Sequence, residues 1–367
     1  MKTLILTCNT GQGHNSCASS ITEVHTANGD FCETADTLSF LSKQASRVVD
    51  KCFTAIYRHM PKVFENMYSH SDTPDQTLHT TDSAIKILKL GCKRLYKYIA
   101  DGGFDNVICV HLFPALMLTW IKEKYSLDVK VSLLFTDYTC YPYTSKTKVD
   151  LYFIPHTDLS EEFSSSIEDK GSIVASGIPI KRDFLSLPSK ADARKSLGIA
   201  DDLKIVFIMG GSMGCGPMKE LVIKLSNEAD SNTHFLVSCG TNKKLLRYLN
   251  KKHLPNATVF SFSNNIPTIM AAADLFVTKP GGISITEAAV SGLPTILINA
   301  IGACETPNYN FFVNHNYFYG ASTVEGVTEV CKSLLCKPEQ LKERSRLLKQ
   351  EFGKDSAEEI YKALKTK

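Results

Sequence analysis

The segment Val277-Thr278-Lys279-Pro280-Gly281-Gly282-Ile283-Ser284-Ile285-Thr286-Glu287 holds the residue types and spacing best suited to chemistry. An apolar run (Leu275, Phe276, Val277) ends in a Pro-Gly-Gly turn. A helix-forming stretch follows, with Ser284 or Thr286 near its cap and Glu287 in its first turns. Such a unit aims backbone N–H groups and the positive end of a helix at one point, where they hold phosphate. The nearby carboxylate can accept hydrogen bonds from two sugar hydroxyls. This is the layout of a nucleotide-sugar site. A second glycine loop, Met209-Gly210-Gly211-Ser212-Met213-Gly214-Cys215-Gly216, follows the apolar run 204–209 and offers N–H donors to a diphosphate. It lacks the Gly-Lys-Ser/Thr ending of a Walker loop, so ATP hydrolysis is not expected. Glu228 and Asp230 lie about 20 residues on, where a dinucleotide site keeps its ribose-binding acid. They fall at a helix end rather than on a strand, which makes NAD a poor second choice.

Four further candidates follow apolar runs. In Thr10-Gly11-Gln12-Gly13-His14, Gly11 and Gly13 permit a sharp turn and close backbone approach. His14 would open the next helix as a general base on an acceptor hydroxyl, or as a ligand of a phosphate or sugar oxygen. In Phe135-Thr136-Asp137-Tyr138, Asp137 can act as a base, orient one, or cap the turn. His111, in Val110-His111-Leu112-Phe113-Pro114, ends another apolar run and is a similar candidate. Glu305, in Ile301-Gly302-Ala303-Cys304-Glu305-Thr306-Pro307-Asn308, can hydrogen-bond hexose hydroxyls. Each has a plainer reading as a turn, a cap or a solvated surface group. The chain contains no Asp-x-Asp, the carboxylate pair that holds a sugar diphosphate through a divalent metal. Helix N-termini and loop amides are therefore expected to balance the leaving-group charge, with no metal in the site.

The elements that position these residues alternate. Strands are expected at 3–8, 106–110, 130–135 and 151–154, then at 204–209, 234–238, 258–260, 275–278 and 295–298, with amphipathic helices among them. That order predicts an α/β protein of two doubly wound parallel sheets. Ile178 to Ser189, with two prolines and mixed charge, reads as a linker. The expected domains are 1–183, binding the acceptor, and 184–367, binding the donor, facing across a cleft at the strands' carboxyl ends. The last helix, Ser356 to Leu364, could pack back on the first domain.

A length of 367 residues with 43% hydrophobic content suits two ordinary globular domains. The net charge of +3, with no zinc-finger spacing and no RNA-binding aromatic signature, argues against a nucleic-acid partner. Twelve cysteines are scattered without a Cys-x-x-Cys pair, and Cys52, Cys109 and Cys239 sit in apolar stretches. Buried free thiols of a reducing cytosol are expected. The opening Met1 to Thr7 reads as a core strand rather than a signal peptide. The longest apolar run, Ile108 to Ile121, contains His111 and Pro114 and is too short to span a bilayer. Any membrane contact would be peripheral.

Together these motifs resemble the diacylglycerol glycosyltransferases, which include the monogalactosyldiacylglycerol synthases, in glycosyltransferase family 28 with the GT-B fold. The resemblance covers most of the chain. It runs from Gly11, Gly13 and His14 through Phe135-Thr136-Asp137, Ser176-Gly177-Ile178-Pro179-Ile180, the Gly210–Gly214 loop and Met270 to Asp274. It ends with Thr278-Lys279-Pro280-Gly281-Gly282 through Glu287, and with Glu305 and Asn308. The resemblance implies inverting transfer from UDP-glucose or UDP-galactose to diacylglycerol or its monoglycosyl form. It makes Glu287 the ribose carboxylate and puts the diphosphate on Gly211, Ser212, Met213 and Gly214 and on Gly281, Gly282 and Ser284. It implies that Glu305 sits at the hexose, Asn308 elsewhere in the donor site and Phe262 near the uracil. His14 or Asp137 would activate the acceptor, with Gly11, Gly13 and His111 beside it. Two positions depart from the pattern. Cys304 stands where the family has Gln, and a thiol replaces amide hydrogen bonds poorly. Tyr141 stands where bacterial members have His.

Between Lys43 and Lys97 ten basic residues face five acidic ones. Apolar stripes run through Val49, Cys52, Phe53, Ile56 and Met60 and through Ile85, Leu88, Cys92, Leu95 and Ile99. Phe64, Met67 and Tyr68 lie in the irregular stretch that separates them. Basic surfaces attract anionic lipid by roughly 1 kcal/mol per residue. With the resemblance, this points to a cytoplasmic enzyme held peripherally on an anionic membrane. Two rival readings remain: the same fold moving GlcNAc or another sugar to a polyprenyl or soluble acceptor, and a non-catalytic UDP-sugar sensor.

Overall fold

The computed structural model describes residues 1–8, 12–42, 78–141, 143–167, 171–298 and 305–366, with backbone alone at 12 and 78–86. Gly11, Cys52, Cys304, the stripe from Val49 to Met60, and Phe64, Met67 and Tyr68 lie outside the described residues. The chain forms two compact units, Met1–Lys181 with Asp355–Lys367, and Arg182–Lys354.

In the first unit β1 (Lys2–Thr7), α1 (Gln12–Ala27) and β2 (Phe31–Asp36) are followed by α2 (Leu78–Gly102), β3 (Asn106–Cys109) and α3 (Leu112–Lys124). Then come β4 (Lys130–Leu134), β5 (Leu151–Phe153), α4 (Ser160–Ser166) and β6 (Ser172–Val174). The sheet order is β2-β1-β3-β4-β5-β6, parallel at every pairing. The second unit holds α5 (Lys190–Leu197), β7 (Lys204–Met209), α6 (Met218–Glu228), β8 (Thr233–Ser238), α7 (Lys243–Asn250) and β9 (Ala257–Phe260). It continues with α8 (Ile266–Ala272), β10 (Leu275–Thr278), α9 (Gly282–Ser291), β11 (Thr295–Ile298), α10 (Thr306–Asn314), β12 (Tyr319–Ala321), α11 (Val324–Leu335) and α12 (Pro338–Phe352). Its order is β12-β11-β10-β7-β8-β9, again all parallel.

Central strands of such sheets are covered on both faces, so they need continuous apolar runs. Ile205 to Ile208 and Leu275 to Val277 are fully buried for that reason. The sequence expectation missed β2, β6 and β12. All three are edge strands with partly exposed side chains, so they carry no apolar run to read.

Aspartates finish the amino ends of the strands. Asp105, before β3, accepts from the Lys2 N–H at 2.6 Å, and Asp150, before β5, from the Val131 N–H at 2.7 Å. Asp274, before β10, accepts from the Ile205 N–H at 2.7 Å and from Arg194 Nη2 at 2.8 Å. Arg194 is 5% exposed and also donates to the Ala272 and Asp201 carbonyls. The Met270–Asp274 motif is thus a structural clasp at the edge of the sheet away from the glycine turns.

The final helix, α13 (Ser356–Lys365), belongs to the first unit and packs on α1. The Tyr361 ring meets His25 edge-on at 5.0 Å, and its hydroxyl donates to Asp30 at 2.7 Å. Asp30 also pairs with the N-terminal ammonium at 2.9 Å. Gly177, at φ +81°, lets the chain pass Ser356, whose hydroxyl would stand 2.4 Å from any Cβ there. On α2 the stripe Leu88, Cys92, Leu95 and Ile99 is buried, and the helix packs on α3, so these residues serve the core rather than a lipid surface. Cys8, Cys17, Cys109, Cys215, Cys239 and Cys331 are buried free thiols, as expected; burial pushes Cys239 up to about 11 and Cys331 to about 12.

Replacing Asp274 strands a buried guanidinium and an amide of the central strand. Asp274→Ala is expected to lower unfolding free energy by about 3 kcal/mol in urea denaturation. A loss under about 1 kcal/mol would show that the clasp contributes little.

Candidate functional site

Both sheets reverse their strand order once. In the first, β1 leads outward to β2 while β3 returns on its other side. In the second, β7 leads to β8 and β9 while β10 returns beside it. In open parallel sheets ligands bind outside the carboxyl ends of the strands at this reversal. His14, His111 and the two glycine turns lie at these two places, while Asp137 follows β4, Phe262 follows the edge strand β9, and Glu305 and Asn308 follow β11.

In the first unit, His14 is the third residue of α1, just past β1, and His111 follows β3. Their rings meet edge-to-face at 5.1 Å. His111 caps α3: its Nδ1 accepts the Phe113 N–H at 3.1 Å. In the neutral ring the proton is then on Nε2, so His111 is a hydrogen-bond donor there rather than a base. His14 Nδ1 lies 3.5 Å from Thr136 Oγ1, at the end of β4. Tyr141 ties this corner together. Its hydroxyl accepts from the Thr136 N–H at 2.9 Å, shares a hydrogen bond with Thr136 Oγ1 at 2.9 Å and donates to Asp137 Oδ2 at 3.4 Å. The sequence marked Tyr141 only as a departure from the family; the structure makes it the link among Thr136, Asp137 and, through Thr136, His14.

Burial lowers the His14 pKa to about 4, against a backbone hydrogen bond at Val110 that raises it. Burial, then the neighbouring His14, pushes His111 well below the ordinary imidazole range. Both rings are neutral at physiological pH, and His14 keeps a nitrogen able to accept a proton. Gly13 is the second residue of α1, next to it.

In the second unit the loop after β7 is a closed turn. The Gly214 N–H donates to Gly211 O at 3.1 Å and the Cys215 N–H to Gly210 O at 2.8 Å. Its underside rests on the end of β8, where a Cβ on Gly214 (φ +59°) would stand 2.1 Å from Cys239 O. The Gly214 N–H is thus engaged within the turn that was expected to hold a diphosphate. The N–H groups of Gly211, Ser212 and Met213 take no part in those two turn bonds. After β10, Gly281 is the N-cap of α9 and its N–H bonds to Lys279 O at 2.9 Å. The amides of Gly282, Ile283 and Ser284 form the first turn of α9, which has no side-chain cap. Thr286 is no cap either: its hydroxyl is buried and donates to Gly282 O at 2.7 Å. Ser284 and Glu287, three residues apart on α9, are both partly exposed.

Two ties lock this corner. The Thr278 hydroxyl donates to Met209 O at 2.8 Å across the reversal. Asn308, fully buried on α10, donates to Pro280 O at 3.0 Å and so holds the Pro-Gly-Gly turn. Glu305, the N-cap of α10, is 5% exposed and forms an ion pair with Lys279. Lys279 was quoted in the motif but given no role in the sequence reading. The available signal was a cation set directly before a phosphate-type turn. Phe262, after β9, is about half exposed.

Residues 14–180 match the Monogalactosyldiacylglycerol (MGDG) synthase family, and residues 205–360 match the Glycosyltransferase family 28 C-terminal domain. The processive diacylglycerol beta-glucosyltransferase of Bacillus pumilus (strain SAFR-032) is 25% identical over 367 residues, covering 98% of this chain and 93% of that protein. Acinetobacter baumannii MurG superposes with a TM-score of 0.68 at 13% identity, over 100% of this chain and 99% of that one. The spinosyn rhamnosyltransferase SpnG does so with a TM-score of 0.68 at 14% identity, over 99% and 100%. Two Rossmann-like units with glycine turns at their strand-order reversals give the GT-B fold. The chain belongs to the diacylglycerol glycosyltransferase and MGDG synthase family, within glycosyltransferase family 28.

The depressed pKa of His14 has a linkage consequence. Below pH 6.5 the unfolded chain binds a proton that the folded imidazole refuses until about pH 4. Stability therefore falls as pH drops through that window, by up to about 1.4 kcal/mol per pH unit from this group. Urea denaturation from about pH 7 to pH 5 should show a steeper loss in the wild type than in His14→Gln. Equal slopes would place His14 in a solvated environment.

Proposed function

We propose that this chain transfers a hexose from a UDP-sugar, UDP-glucose or UDP-galactose, to the hydroxyl of diacylglycerol or monoglycosyl-diacylglycerol, with inversion at the anomeric carbon. The observation that carries the donor half is the meeting of the Gly211–Met213 loop, the first turn of α9, Lys279 and Glu305 at the strand-order reversal of the second sheet. Loop amides and the α9 N-terminus suit the diphosphate. Glu287, one helical turn beyond Ser284, suits the ribose hydroxyls, and the exposed ring of Phe262 suits the uracil. Family membership and the Bacillus pumilus relative's name support diacylglycerol as acceptor.

In a single displacement the acceptor oxygen attacks the anomeric carbon as UDP departs, and a base takes the acceptor proton. Two groups of the first unit suit that task. Neutral His14 has an unprotonated nitrogen, and Asp137 is held by the Tyr141 hydroxyl. A single attack from the face opposite the leaving group yields the β-linked product from an α-linked donor.

Membrane contact is assigned to α2. Its buried stripe packs inward, but Ile87 and Leu90 are 54% and 75% exposed, beside the exposed Lys89, Lys93, Arg94 and Lys97. Lys89 also lies over the Trp120 ring at 4.7 Å. An apolar pair ringed by cations suits the interface of an anionic bilayer. No described helix is long and apolar enough to cross a membrane.

UDP release measured with UDP-glucose, UDP-galactose and UDP-GlcNAc on diacylglycerol vesicles tests the reaction. Release with one of the first two is expected, and release only with a polyprenyl acceptor would overturn the lipid assignment. Glu287→Ala should abolish donor binding by calorimetry. His14→Ala should keep UDP binding while turnover falls about 100-fold or more; undiminished turnover would pass the base role to Asp137. Leu90→Glu should weaken sedimentation with phosphatidylglycerol vesicles and leave UDP binding unchanged.

A further inference from the structure

We propose that Lys279 supplies the cation of the donor site, and that it exchanges its Glu305 partner for the donor diphosphate when the UDP-sugar binds. This rests on the UDP-sugar reading above and names the side chain that neutralises the leaving group.

Position is the first argument. Lys279 lies on the turn between β10 and α9, yet its side chain reaches the loop after β7. A Cβ on Gly281 would stand 3.2 Å from its Nζ, and one on Gly211 would stand 3.6 Å from Nζ and 2.8 Å from Cε. The ammonium therefore lies against both glycine turns at once. The bare glycines leave it room.

Charge is the second. Lys279 and Glu305 side chains are only 11% and 7% exposed. A lysine and a glutamate so nearly buried require charged partners, and each serves the other here. Among the described residues of the two turns, the other donors are neutral amides and one helix end, worth about half an elementary charge. The amides of Gly214, Cys215 and Gly281 are already bonded within the chain. A nucleoside diphosphate brings more negative charge than these groups balance, and it gains another as the sugar leaves. Lys279 is the full cation that touches both turns.

The step balances simply. The acceptor oxygen forms a bond to the anomeric carbon while the bond from that carbon to the β-phosphate oxygen breaks. The electron pair stays on that oxygen, and the acceptor proton passes to a base of the first unit. Lys279 remains protonated and donates hydrogen bonds to the departing diphosphate. Glu305, with the ammonium turned toward the diphosphate beside it, accepts from hexose hydroxyls, so its oxygens stay hydrogen-bonded. The pair is thus a ground-state placeholder for the two halves of the donor.

The test compares UDP with uridine, which lacks phosphate, by calorimetry on the full chain. Lys279→Met alone would leave Glu305 without its counter-charge, so the informative variant is Lys279→Met with Glu305→Gln, which is neutral and similar in size. It should bind uridine as the wild type does and UDP roughly 10- to 100-fold more weakly, the value of one charge-assisted contact. Lys279→Arg should hold UDP within a few-fold of wild type. Unchanged UDP affinity in the double variant overturns the inference while leaving the UDP-sugar reading intact. An equal loss for uridine and UDP assigns Lys279 to packing and also overturns it. Wild-type protein that binds no UDP sinks the reading and the inference together.

Discussion

A parallel sheet whose strand order reverses must open a gap in its helical cover at the carboxyl end of the reversal. The connections leave the two central strands toward opposite faces, and nothing fills the space above them. Both units of this protein contain one such reversal, at β1/β3 and at β7/β10. The proposed diphosphate turns and one of the two candidate bases, His14, depend on those two places, while the other base, Asp137, follows β4. His14 and His111 follow the two strands of the first reversal, and the Gly210–Gly214 loop and the Lys279–Gly282 turn follow those of the second. At the other end of the strands the same carboxylate device recurs, with Asp105, Asp150 and Asp274 closing the backbone of neighbouring strands. One edge of each sheet is spent on stability, and the other is left to bind.

The electrostatics of the two places differ. In the first unit burial keeps two imidazoles neutral, and hydroxyls of Thr136 and Tyr141 join one of them, His14, to a carboxylate. Such a site handles a proton. In the second unit a buried ion pair lies against two glycine turns, and several of the surrounding amides are already bonded. Such a site handles charge separation. Glycosyl transfer from a nucleotide sugar needs both operations, one at the acceptor hydroxyl and one at the diphosphate.

Legibility in the sequence followed burial. Central strands such as 204–209 and 275–278 were readable because both faces are covered and their cores, Ile205 to Met209 and Leu275 to Val277, are wholly apolar. The edge strands β2, β6 and β12 were not, because half of each remains in water and no periodic signal distinguishes it from a loop. The same rule explains α2. Its apolar stripe could be read from spacing alone, but spacing did not say whether the core or a bilayer would receive it. The core took Leu88, Cys92, Leu95 and Ile99, leaving Ile87 and Leu90 outside.

The sequence by itself determined the alternation of strands and helices, the two glycine turns and the family to which the chain belongs. These are local matters of periodicity, backbone freedom and motif spacing. Only the tertiary structure decided which groups are already spent. It bonded the Gly214 amide inside its own turn, set Asn308 to hold Pro280, turned Thr286 back on its helix and made His111 a helix cap. It also brought Lys279 to Glu305, 26 residues away. The partner of a polar group depends on what the fold places within about 3 Å of it, and that proximity is not written in the spacing of residues along the chain.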